Sequence, residues 1–370
     1  MKVLYLSEWY PHRRDAMSGL FVRKHAIACV RQGIDVCVLF IMKDTHDDII
    51  IQTTDGVREV YVYHTGNYYK ALYKGWQTLK ESWGIPDLCQ INVITKNAIL
   101  ALWLKFFSNI PFVVVEHWTG YLDSNPQYTK SGTAHKIMTR LTTWLASAVM
   151  PVSNELKKAM IDNGLKSRRW QIINNVVDDF FYNRTQHKQA SETFNLLHIS
   201  CFDEPHKNVC GILRAAKEVS LKHYKFRLTL VGTGPDYQQA LDCAKALNFP
   251  PETLRWTGEL QPEQVAEEFD MADAFVLFSN YENAAVVLSE SLVAGVPIIS
   301  TPVGFATEIV TPECGLLVPT HDEKALADAI CKMIDNGKMY DKEHIKRQGE
   351  QYKFDNVGKE LAKIYHEALH

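Results

Sequence analysis

The chain has 370 residues, of which 46% are hydrophobic and 22% charged, so it is long enough for two globular domains and is not of disordered composition. It contains no run of 18 apolar residues, and its first apolar stretch is too short for a signal peptide, so we expect neither a membrane-spanning helix nor secretion. Residues 1–180 hold 21 basic and 16 acidic side chains, a net charge of +5, and the remainder holds 19 basic and 27 acidic ones, a net charge of −8. The first half is therefore the better candidate for contact with an anionic partner or a membrane surface. No nucleic-acid partner is expected.

The first half of the chain alternates buried strands with helices. Gly19 stands at the first strand-to-helix turn, where the missing side chain permits close approach of the backbone to a ligand. The dinucleotide fingerprint G-x-G-x-x-G is absent. The alternation predicts βαβ units and a parallel sheet. The predicted strands are 2–7, 35–41, 56–64, 87–94, 112–116, 148–152 and 170–173, and the predicted helices are 20–31, 66–84, 95–107, 134–147 and 154–163.

Two features of this half point to ligands. His117 follows the strand 112–116, and ligands bind at the carboxyl ends of strands in open α/β sheets, although a lone histidine also fits a purely structural role. The helix 66–84 carries aromatic and lysine side chains. It fits either contact with a membrane or a surface helix whose aromatics face the core, and both interpretations stay open.

A second series of strands and helices follows a polar, aperiodic segment, residues 181–193, which is the predicted linker. Lys207 lies in the loop after the first strand of this series. The predicted strands are 194–200, 226–231, 254–257, 274–278 and 298–300 with a turn and strand in 308–318, and the predicted helices are 209–220, 236–247, 262–268, 284–294, 323–335 and 355–369.

The stretch from Phe278 to Pro297 is the centre of the predicted site. Its polar loop holds Glu282, and the predicted helix from Ala284 holds Glu290 two turns along. A helix N-terminus offers N–H groups and partial positive charge to a phosphate, while carboxylates accept hydrogen bonds from hydroxyls. The arrangement therefore suits a nucleotide sugar, although a single glutamate near a helix start is also favourable on electrostatic grounds alone.

No metal site or cofactor is indicated. The eight cysteines form no C-x-x-C pair, which indicates reduced thiols and neither disulfides nor a zinc site. No D-x-D motif stands in a loop after a strand, so no catalytic metal is expected.

Taken together, these motifs resemble those of the glycosyltransferases of family 4. Glu282 to Glu290 resembles the family's Glu-x7-Glu element, and the following SLVAGVPII resembles its helix with a Gly-x-Pro end. The turns at Val231–Pro235 and Gly315–Val318 resemble the family's glycine turns. The resemblance covers nearly the whole chain, most specifically residues 190–320. It implies the α/β GT-B fold: two Rossmann-like, doubly wound parallel-sheet domains that face each other across a cleft, with a C-terminal helix crossing back.

The resemblance also implies a domain organisation. Residues 1–180 would form an N-terminal acceptor-binding domain, and residues 181–193 a linker. Residues 194–345 would form the nucleotide-sugar-binding domain, and residues 346–370 a C-terminal helix that packs back on the first domain.

Roles for individual residues follow from the same resemblance. Glu282, Lys207 and His117 would be the catalytic residues: Glu282 would bind donor-sugar hydroxyls, Lys207 would neutralise the departing diphosphate, and His117 would contact the sugar near the reacting carbon. Glu290 would bind the ribose hydroxyls. The other donor-binding residues would be Gly19, Ser200, Asn283, Ala284, Ala285 and Val286.

Two positions depart from the family pattern. The family commonly has Gly-Arg where this chain has Ser200-Cys201, so one phosphate-binding cation is missing or comes from elsewhere, with Arg23 and Arg255 as candidates. Ala285 replaces the glycine that usually follows the first glutamate at the third position.

The function implied is a retaining, metal-independent glycosyltransferase. It would move a sugar from a nucleotide diphosphate sugar, with no further cofactor, to a hydroxyl of a glycan or lipid-linked acceptor in surface polysaccharide synthesis. The expected location is the cytoplasm, with peripheral contact at the inner face of the membrane left open. The alternatives are a nucleotide-sugar 2-epimerase on the same fold and a non-catalytic nucleotide-sugar-binding partner subunit. A two-domain ligand-binding protein of the periplasmic type fits the absent signal peptide and unpaired cysteines less well.

Overall fold

The computed structural model describes residues 1–184, 192–223, 225–336 and 340–370. These residues divide into two units, which we call the N-terminal unit (Met1–Val176 with Tyr352–His370) and the C-terminal unit (Val177–Gln351). Most of the predicted linker, residues 181–193, lies outside the described residues.

The strands are, in chain order, β1 Lys2–Ser7, β2 Asp35–Lys43, β3 Asp48–Thr54, β4 Val57–His64, β5 Leu88–Asn92, β6 Phe112–Glu116, β7 Ala148–Pro151, β8 Phe194–Ile199, β9 Phe226–Val231, β10 Leu254–Gly258, β11 Ala274–Leu277, β12 Ile298–Ser300 and β13 Gly315–Leu317.

The helices are α1 Leu20–Arg31, α2 Tyr68–Ser82, α3 Ala98–Ser108, α4 Gln127–Lys130, α5 Thr133–Leu145, α6 Asn154–Asp162, α7 Asp179–Tyr182, α8 Glu204–Lys207, α9 Val209–Lys222, α10 Tyr237–Leu247, α11 Pro262–Met271, α12 Val286–Ala294, α13 Ala306–Ile309, α14 Glu323–Asp335, α15 Lys342–Gly349 and α16 Phe354–Leu369. Short 3-10 turns cover Thr119–Tyr121 and Glu350–Tyr352.

The strands of the N-terminal unit form one sheet in the order β3-β4-β2-β1-β5-β6-β7. Neighbouring strands are parallel except β3 and β4, which run antiparallel. The apolar runs of β5 and β6 are buried along their whole length, as expected for parallel strands covered on both faces. Because parallel strands end at the same edge of a sheet, Glu8 after β1 and His117 after β6 lie along one edge.

Helix α16, the last of the chain, packs against α1 in the N-terminal unit. Gly358 permits this close approach, since a Cβ atom there would lie 2.4 Å from the carbonyl oxygen of Ala28. The hydroxyl of Tyr365 lies 2.7 Å from the hydroxyl of Tyr5 and donates to the side-chain oxygen of Gln90 at 2.5 Å. Buried hydrogen bonds thus join α16 to β1 and β5.

The strands of the C-terminal unit form a second, parallel sheet in the order β10-β9-β8-β11-β12-β13. Buried strand residues such as Leu196, Leu228 and Val276 pack with the apolar faces of α9 and α14. The carboxyl ends of β8, β9 and β11 share one edge of this sheet. The prediction of two doubly wound, parallel-sheet α/β domains is confirmed.

Several element boundaries differ from the sequence-based expectation. Strand β3 was not predicted, and the strand expected at 170–173 is only a bridge between Trp170 and Val149. Helix α7 lies where the linker was predicted to begin. Helix α15 belongs to the C-terminal unit, where it packs on α12, so within residues 346–370 the helix that joins the N-terminal unit is α16.

Candidate functional site

Two loops meet at the carboxyl edge of the C-terminal sheet. One follows β8 and contains α8, and the other follows β11 and leads into α12. The backbone N–H of Asn280 donates to the carbonyl of His206 at 2.8 Å, and its side-chain amide donates to the carbonyl of Pro205 at 3.0 Å. The rings of His206 and Tyr281 stack at 4.3 Å with an interplanar angle of 3°. These contacts hold the two loops in a fixed register.

Glu282 is buried where these loops meet. Its Oε1 atom accepts hydrogen bonds from the ammonium of Lys207 and, at 2.8 Å, from the hydroxyl of Ser279. The Nε2 atom of His206 lies 3.4 Å from the same oxygen. Burial alone raises the pKa of Glu282, but the charges of Lys207 and the contact with His206 outweigh it and lower the pKa to about 2. The carboxylate is therefore ionised at neutral pH.

Gly304 and Phe305, which follow β12, contact the segment between Glu282 and α12. The N–H of Phe305 donates to the carbonyl of Asn283 at 2.7 Å. Gly304 has φ +53°, and a Cβ atom there would lie 2.4 Å from that carbonyl oxygen. Within the described residues no side chain caps the N-terminus of α12, so its first amides can meet a ligand.

Helix α12 begins later than the sequence suggested. Ala284 and Ala285 precede it, and its first residue is Val286 rather than Ala284. Glu290 consequently lies about one turn into the helix, not two, and is partly exposed.

Ser200 belongs to the same edge of the sheet. The Nδ1 atom of His198 lies 3.0 Å from the carbonyl of Val276, so Nδ1 carries the proton and Nε2 accepts from the Ser200 hydroxyl at 2.8 Å. Burial lowers the pKa of His198 to about 4, which keeps its ring neutral. Gly232, at φ +120°, is required here because a Cβ atom on it would lie 2.0 Å from the carbonyl oxygen of Ser200.

The two arginines considered as replacements for the family's arginine are engaged elsewhere. Arg255 is paired with Glu268, and Arg23 donates to Asp55 at 3.1 Å in the N-terminal unit. The basic side chain that lies beside Lys207 is His206, which the sequence analysis did not single out. The feature of the sequence that could have identified His206 is its position next to Lys207 in the loop after β8.

In the N-terminal unit, Phe21 lies two residues after Gly19, and its ring contacts the ring of His117. Gly19 has φ +59°, and a Cβ atom there would lie 2.2 Å from the carbonyl oxygen of Trp9. The His117 ring lies 4.0 Å from the Phe21 ring and 5.9 Å from the His25 ring. Burial and, secondarily, His25 hold the pKa of His117 well below its usual value, so the imidazole is neutral.

Glu116, directly before His117, was also missed. Its carboxylate is buried and accepts from the N–H groups of Ile94 at 3.1 Å, His117 at 2.9 Å and Trp118 at 3.0 Å. Burial raises its pKa to about 7, with these hydrogen bonds opposing the rise. The carboxyl group orients the backbone that carries His117.

A pocket of about 330 Å³ opens at the carboxyl ends of β1, β2 and β4. The Oε1 atom of Glu8 accepts from the hydroxyls of Tyr68 at 3.0 Å and Thr95 at 2.7 Å. Lys43 and Lys96 also line the pocket. It combines an orienting carboxylate with two basic side chains.

The aromatic helix predicted at 66–84 corresponds to α2. Trp76 and Leu72 are buried, whereas Tyr69 and Tyr73 are exposed. The larger aromatic residue thus faces the core. In the part of the chain that the structure describes, no helix is both long and apolar enough to cross a membrane. The same residues contain no group of three or more histidine, cysteine or acidic side chains arranged to hold a metal ion.

Comparison with known protein families finds matches over most of the chain. Residues 183–351 match the family described as glycosyl transferases group 1. Residues 19–179 match glycosyltransferase family 4.

Characterised relatives align over part of the chain. The N-acetyl-alpha-D-glucosaminyl L-malate synthase of Bacillus anthracis is 25% identical over 54% of this chain and 54% of its own length. A GDP-mannose-dependent alpha-mannosyltransferase of Mycobacterium tuberculosis is 30% identical over 31% of this chain and 29% of its own. The chain thus spans about half the length of the first of these relatives and less of the second.

Solved structures align over nearly the whole chain. The sucrose-phosphate synthase of Thermosynechococcus elongatus has a TM-score of 0.81 at 17% identity and covers 99% of this chain and 98% of its own. Anabaena HepE in complex with UDP-glucose has a TM-score of 0.75 at 17% identity and covers 99% of both chains. These likenesses show that the fold is GT-B.

Proposed function

The chain belongs to the family 4, group 1 glycosyltransferases, and we propose that it is a retaining glycosyltransferase that moves a sugar from a nucleotide diphosphate sugar to an acceptor hydroxyl. The observation that carries the proposal is the buried, ionised carboxylate of Glu282, held by Lys207 in the loop that leads into α12. Such a carboxylate accepts hydrogen bonds from sugar hydroxyls, while an ammonium and helix amides bind a diphosphate.

In the proposed reaction, the bond between the anomeric carbon and the diphosphate oxygen breaks as positive charge grows on the sugar and negative charge on the phosphate. Lys207 stabilises that phosphate charge; its ammonium has three N–H donors, so it can bind both Glu282 and the diphosphate. The acceptor oxygen bonds to the anomeric carbon on the same face, and the leaving phosphate takes its proton. No protein side chain is assigned as general base, and the neutral His117 hydrogen-bonds the donor sugar.

The remaining donor contacts are assigned by the same reasoning. Glu290 binds the ribose hydroxyls. The backbone of residues 283–286 and the hydroxyl of Ser200 border the sugar and diphosphate. Gly19 is also assigned to donor binding, because its missing side chain permits close approach of the backbone to a ligand. We propose no metal and no cofactor beyond the co-substrate, so chelation with EDTA should leave the transfer rate unchanged.

The acceptor is proposed to be a glycan or a lipid-linked glycan, in surface polysaccharide synthesis. The pocket at Glu8 is the candidate acceptor site, because a carboxylate fixed by two hydroxyl donors can orient an acceptor hydroxyl. Lys43 and Lys96 suit an acceptor that carries a phosphate or carboxylate near that hydroxyl.

The proposal is tested in two steps. A thermal-shift screen with UDP, GDP, ADP and their sugars identifies the nucleotide; relatives named for GDP-mannose and solved with UDP-glucose make these the first donors to try. Proton NMR of the product with the matching donor then shows whether the anomeric configuration is retained. Glu290→Ala should weaken nucleotide binding more than it lowers turnover, and Glu263→Ala, at an exposed glutamate at the start of α11, is the matched control.

Other outcomes identify the alternatives. Conversion of the donor to its 2-epimer without any acceptor would show a nucleotide-sugar 2-epimerase. A non-catalytic partner subunit would bind nucleotide but transfer sugar to no acceptor until a second protein is added. This outcome is worth testing because Cys201 stands in place of the usual arginine.

A further inference from the structure

The outward face of α3 consists of large apolar side chains. Ile99, Trp103, Phe106 and Phe107 follow a helical spacing and are 39%, 45%, 62% and 76% exposed. The rings of Trp103 and Phe107 lie 5.8 Å apart. Large exposed aromatic side chains are normally single and scattered, so a complete helix face of them marks an interaction surface.

Helix α5, which contacts α3, continues this surface. Ile137, Leu141 and Trp144 follow the same helical spacing and are 60%, 37% and 58% exposed. Both helices cross from one parallel strand to the next in the same direction along the sheet, so right-handed connections place them on the same side. We call these seven side chains the α3–α5 face.

The helices that form this face carry charges of a single sign. Residues 88–115 and 124–154, which contain both helices, include no aspartate and no glutamate. The charged residues in these two stretches are Lys96, Lys105, Lys130, Lys136 and Arg140. Arg168, from the loop after α6, lies close enough to Lys105 to add to the effect of burial in lowering the pKa of that lysine. The two helices that carry the exposed aromatics thus hold basic side chains and no acidic ones.

We propose that the α3–α5 face docks on an anionic lipid bilayer surface. Tryptophan and phenylalanine enter the headgroup region, and lysine and arginine bind lipid phosphates, which is the composition of interfacial helices. A second copy of this chain is the less suitable occupant, because a two-fold contact through this face brings its basic residues against one another.

This surface is distinct from the helix that the sequence suggested for membrane contact. In α2, Trp76 is buried, and Tyr69 and Tyr73 are the exposed aromatics. Membrane contact through α2 and membrane contact through the α3–α5 face therefore predict different effects on vesicle binding when the exposed aromatic residues of each are replaced. Docking of the α3–α5 face also goes beyond the proposed sugar transfer, since either can hold without the other.

Co-sedimentation of the full chain with phosphatidylglycerol–phosphatidylcholine vesicles and with pure phosphatidylcholine vesicles tests the proposal. We expect binding to the anionic vesicles that weakens as salt is raised, and weak binding to the neutral ones. Phe106→Ser/Phe107→Ser/Trp144→Ser should lower the partition coefficient by about tenfold or more. Lys136→Gln/Arg140→Gln should lower it by several-fold, on the anionic vesicles only.

Two control variants keep the result interpretable. Phe106→Trp/Phe107→Trp should retain binding, and Leu221→Ser, at a 71% exposed site in the C-terminal unit, should leave it unchanged. A thermal shift with the nucleotide identified for the wild type, equal in every variant, shows that the fold and the donor site are intact.

Three results would overturn the proposal. The first is no binding to anionic vesicles, and the second is binding that survives the triple serine variant. The third is binding lost in Tyr69→Ser/Tyr73→Ser but not in the triple variant. A dimer in sedimentation equilibrium that the triple variant dissociates, without vesicle binding, would instead assign the face to a second copy of the chain.

Discussion

The ammonium of Lys207 donates a hydrogen bond to Oε1 of Glu282, although the two residues belong to loops that follow different strands, β8 and β11. The side chains of both residues are largely buried, so each is the main compensation for the charge of the other. This ion pair joins the two loops of the proposed donor site and makes the catalytic proposal testable by titration as well as by kinetics.

Lys207→Ala and Glu282→Ala should each lower turnover by about tenfold to a hundredfold, since a hydrogen bond to a charged group contributes ~1.5–3 kcal/mol. The measurement is kcat and KM with the donor identified by the thermal-shift screen. Lys217→Ala, at a basic residue of α9 that contacts the carbonyl of Asn248, is the control and should retain full activity. Full turnover in both site variants would contradict the assignment.

The same pair predicts a shift in acid stability. The pKa of Glu282 is lowered to about 2, so the stability it contributes is fully present above the ordinary value near 4.5 and is lost as pH falls toward 2. Lys207→Ala leaves the effect of burial less opposed and raises the pKa of Glu282 toward its ordinary value, so less stability should be lost as pH falls below 4.5. Thermal unfolding between pH 3 and pH 7 measures the difference, and Lys207→Ala/Glu282→Gln should remove the pH dependence that Glu282 still causes in Lys207→Ala. Parallel curves for wild type and Lys207→Ala would contradict the prediction.

His206 is predicted to act as the second phosphate-binding group in place of the usual arginine. His206→Phe should keep the stacking on Tyr281 but lower the affinity for the nucleoside diphosphate by about tenfold, because a charge-assisted hydrogen bond is lost. Cys201→Arg in that background should restore part of it. Calorimetric titration measures both effects. Unchanged affinity in His206→Phe would assign the histidine to loop packing alone.

Gly304→Ala should destabilise the C-terminal unit by about 2–4 kcal/mol, because its Cβ atom would meet the carbonyl of Asn283 at 2.4 Å in a left-handed backbone conformation. Gly258→Ala is the matched control. Gly258 has φ +70° but no atom within 4 Å of its Cβ position, so only the conformational cost of about 1–2 kcal/mol remains. Urea unfolding of both variants separates the clash from the backbone strain, and equal losses would show that the clash is relieved.

Glu116 predicts the opposite pH dependence from Glu282. Burial raises its pKa to about 7, so the stability associated with its neutral form is fully present below 4.5 and is lost as pH rises through 7. The loss should be about 3 kcal/mol over that range. Glu116→Gln should flatten the dependence in thermal unfolding between pH 5 and pH 8, whereas Glu81→Gln, at an exposed site in α2, should leave it in place. An unchanged slope in Glu116→Gln would place the titrating group elsewhere.

The alternation of elements could be read from the sequence because most strands are continuous apolar runs. Residues 112–116 and 274–277 are completely buried and were predicted as strands. Strand β3 was missed because four of its seven residues are only partly buried and the other three are exposed, as is common in an edge strand. Helix α8 was missed because four residues are too few to show a helical period.

The site could be predicted only as a set of residue types. The order of motifs identified Glu282 and Lys207, but their contact depends on how two loops meet, and no local pattern encodes it. His206 was missed for the same reason, since Tyr281 and Glu282 lie far from it in the sequence. Glu116 was missed because the burial that raises its pKa is a property of the folded unit. The α3 segment illustrates a different limit: the sequence predicted a helix over residues 95–107, and only the packing shows which of its apolar side chains are left exposed.

The position of α16 has a consequence for synthesis of the protein. Tyr365 contributes to the interior of the N-terminal unit beside Tyr5 and Gln90, but it is translated after the whole C-terminal unit. During translation, the N-terminal unit therefore lacks α16, and the surface of α1 that α16 covers stays exposed until the end of the chain is made. The C-terminal unit can complete its fold before that point, so the unit that is translated first is completed last.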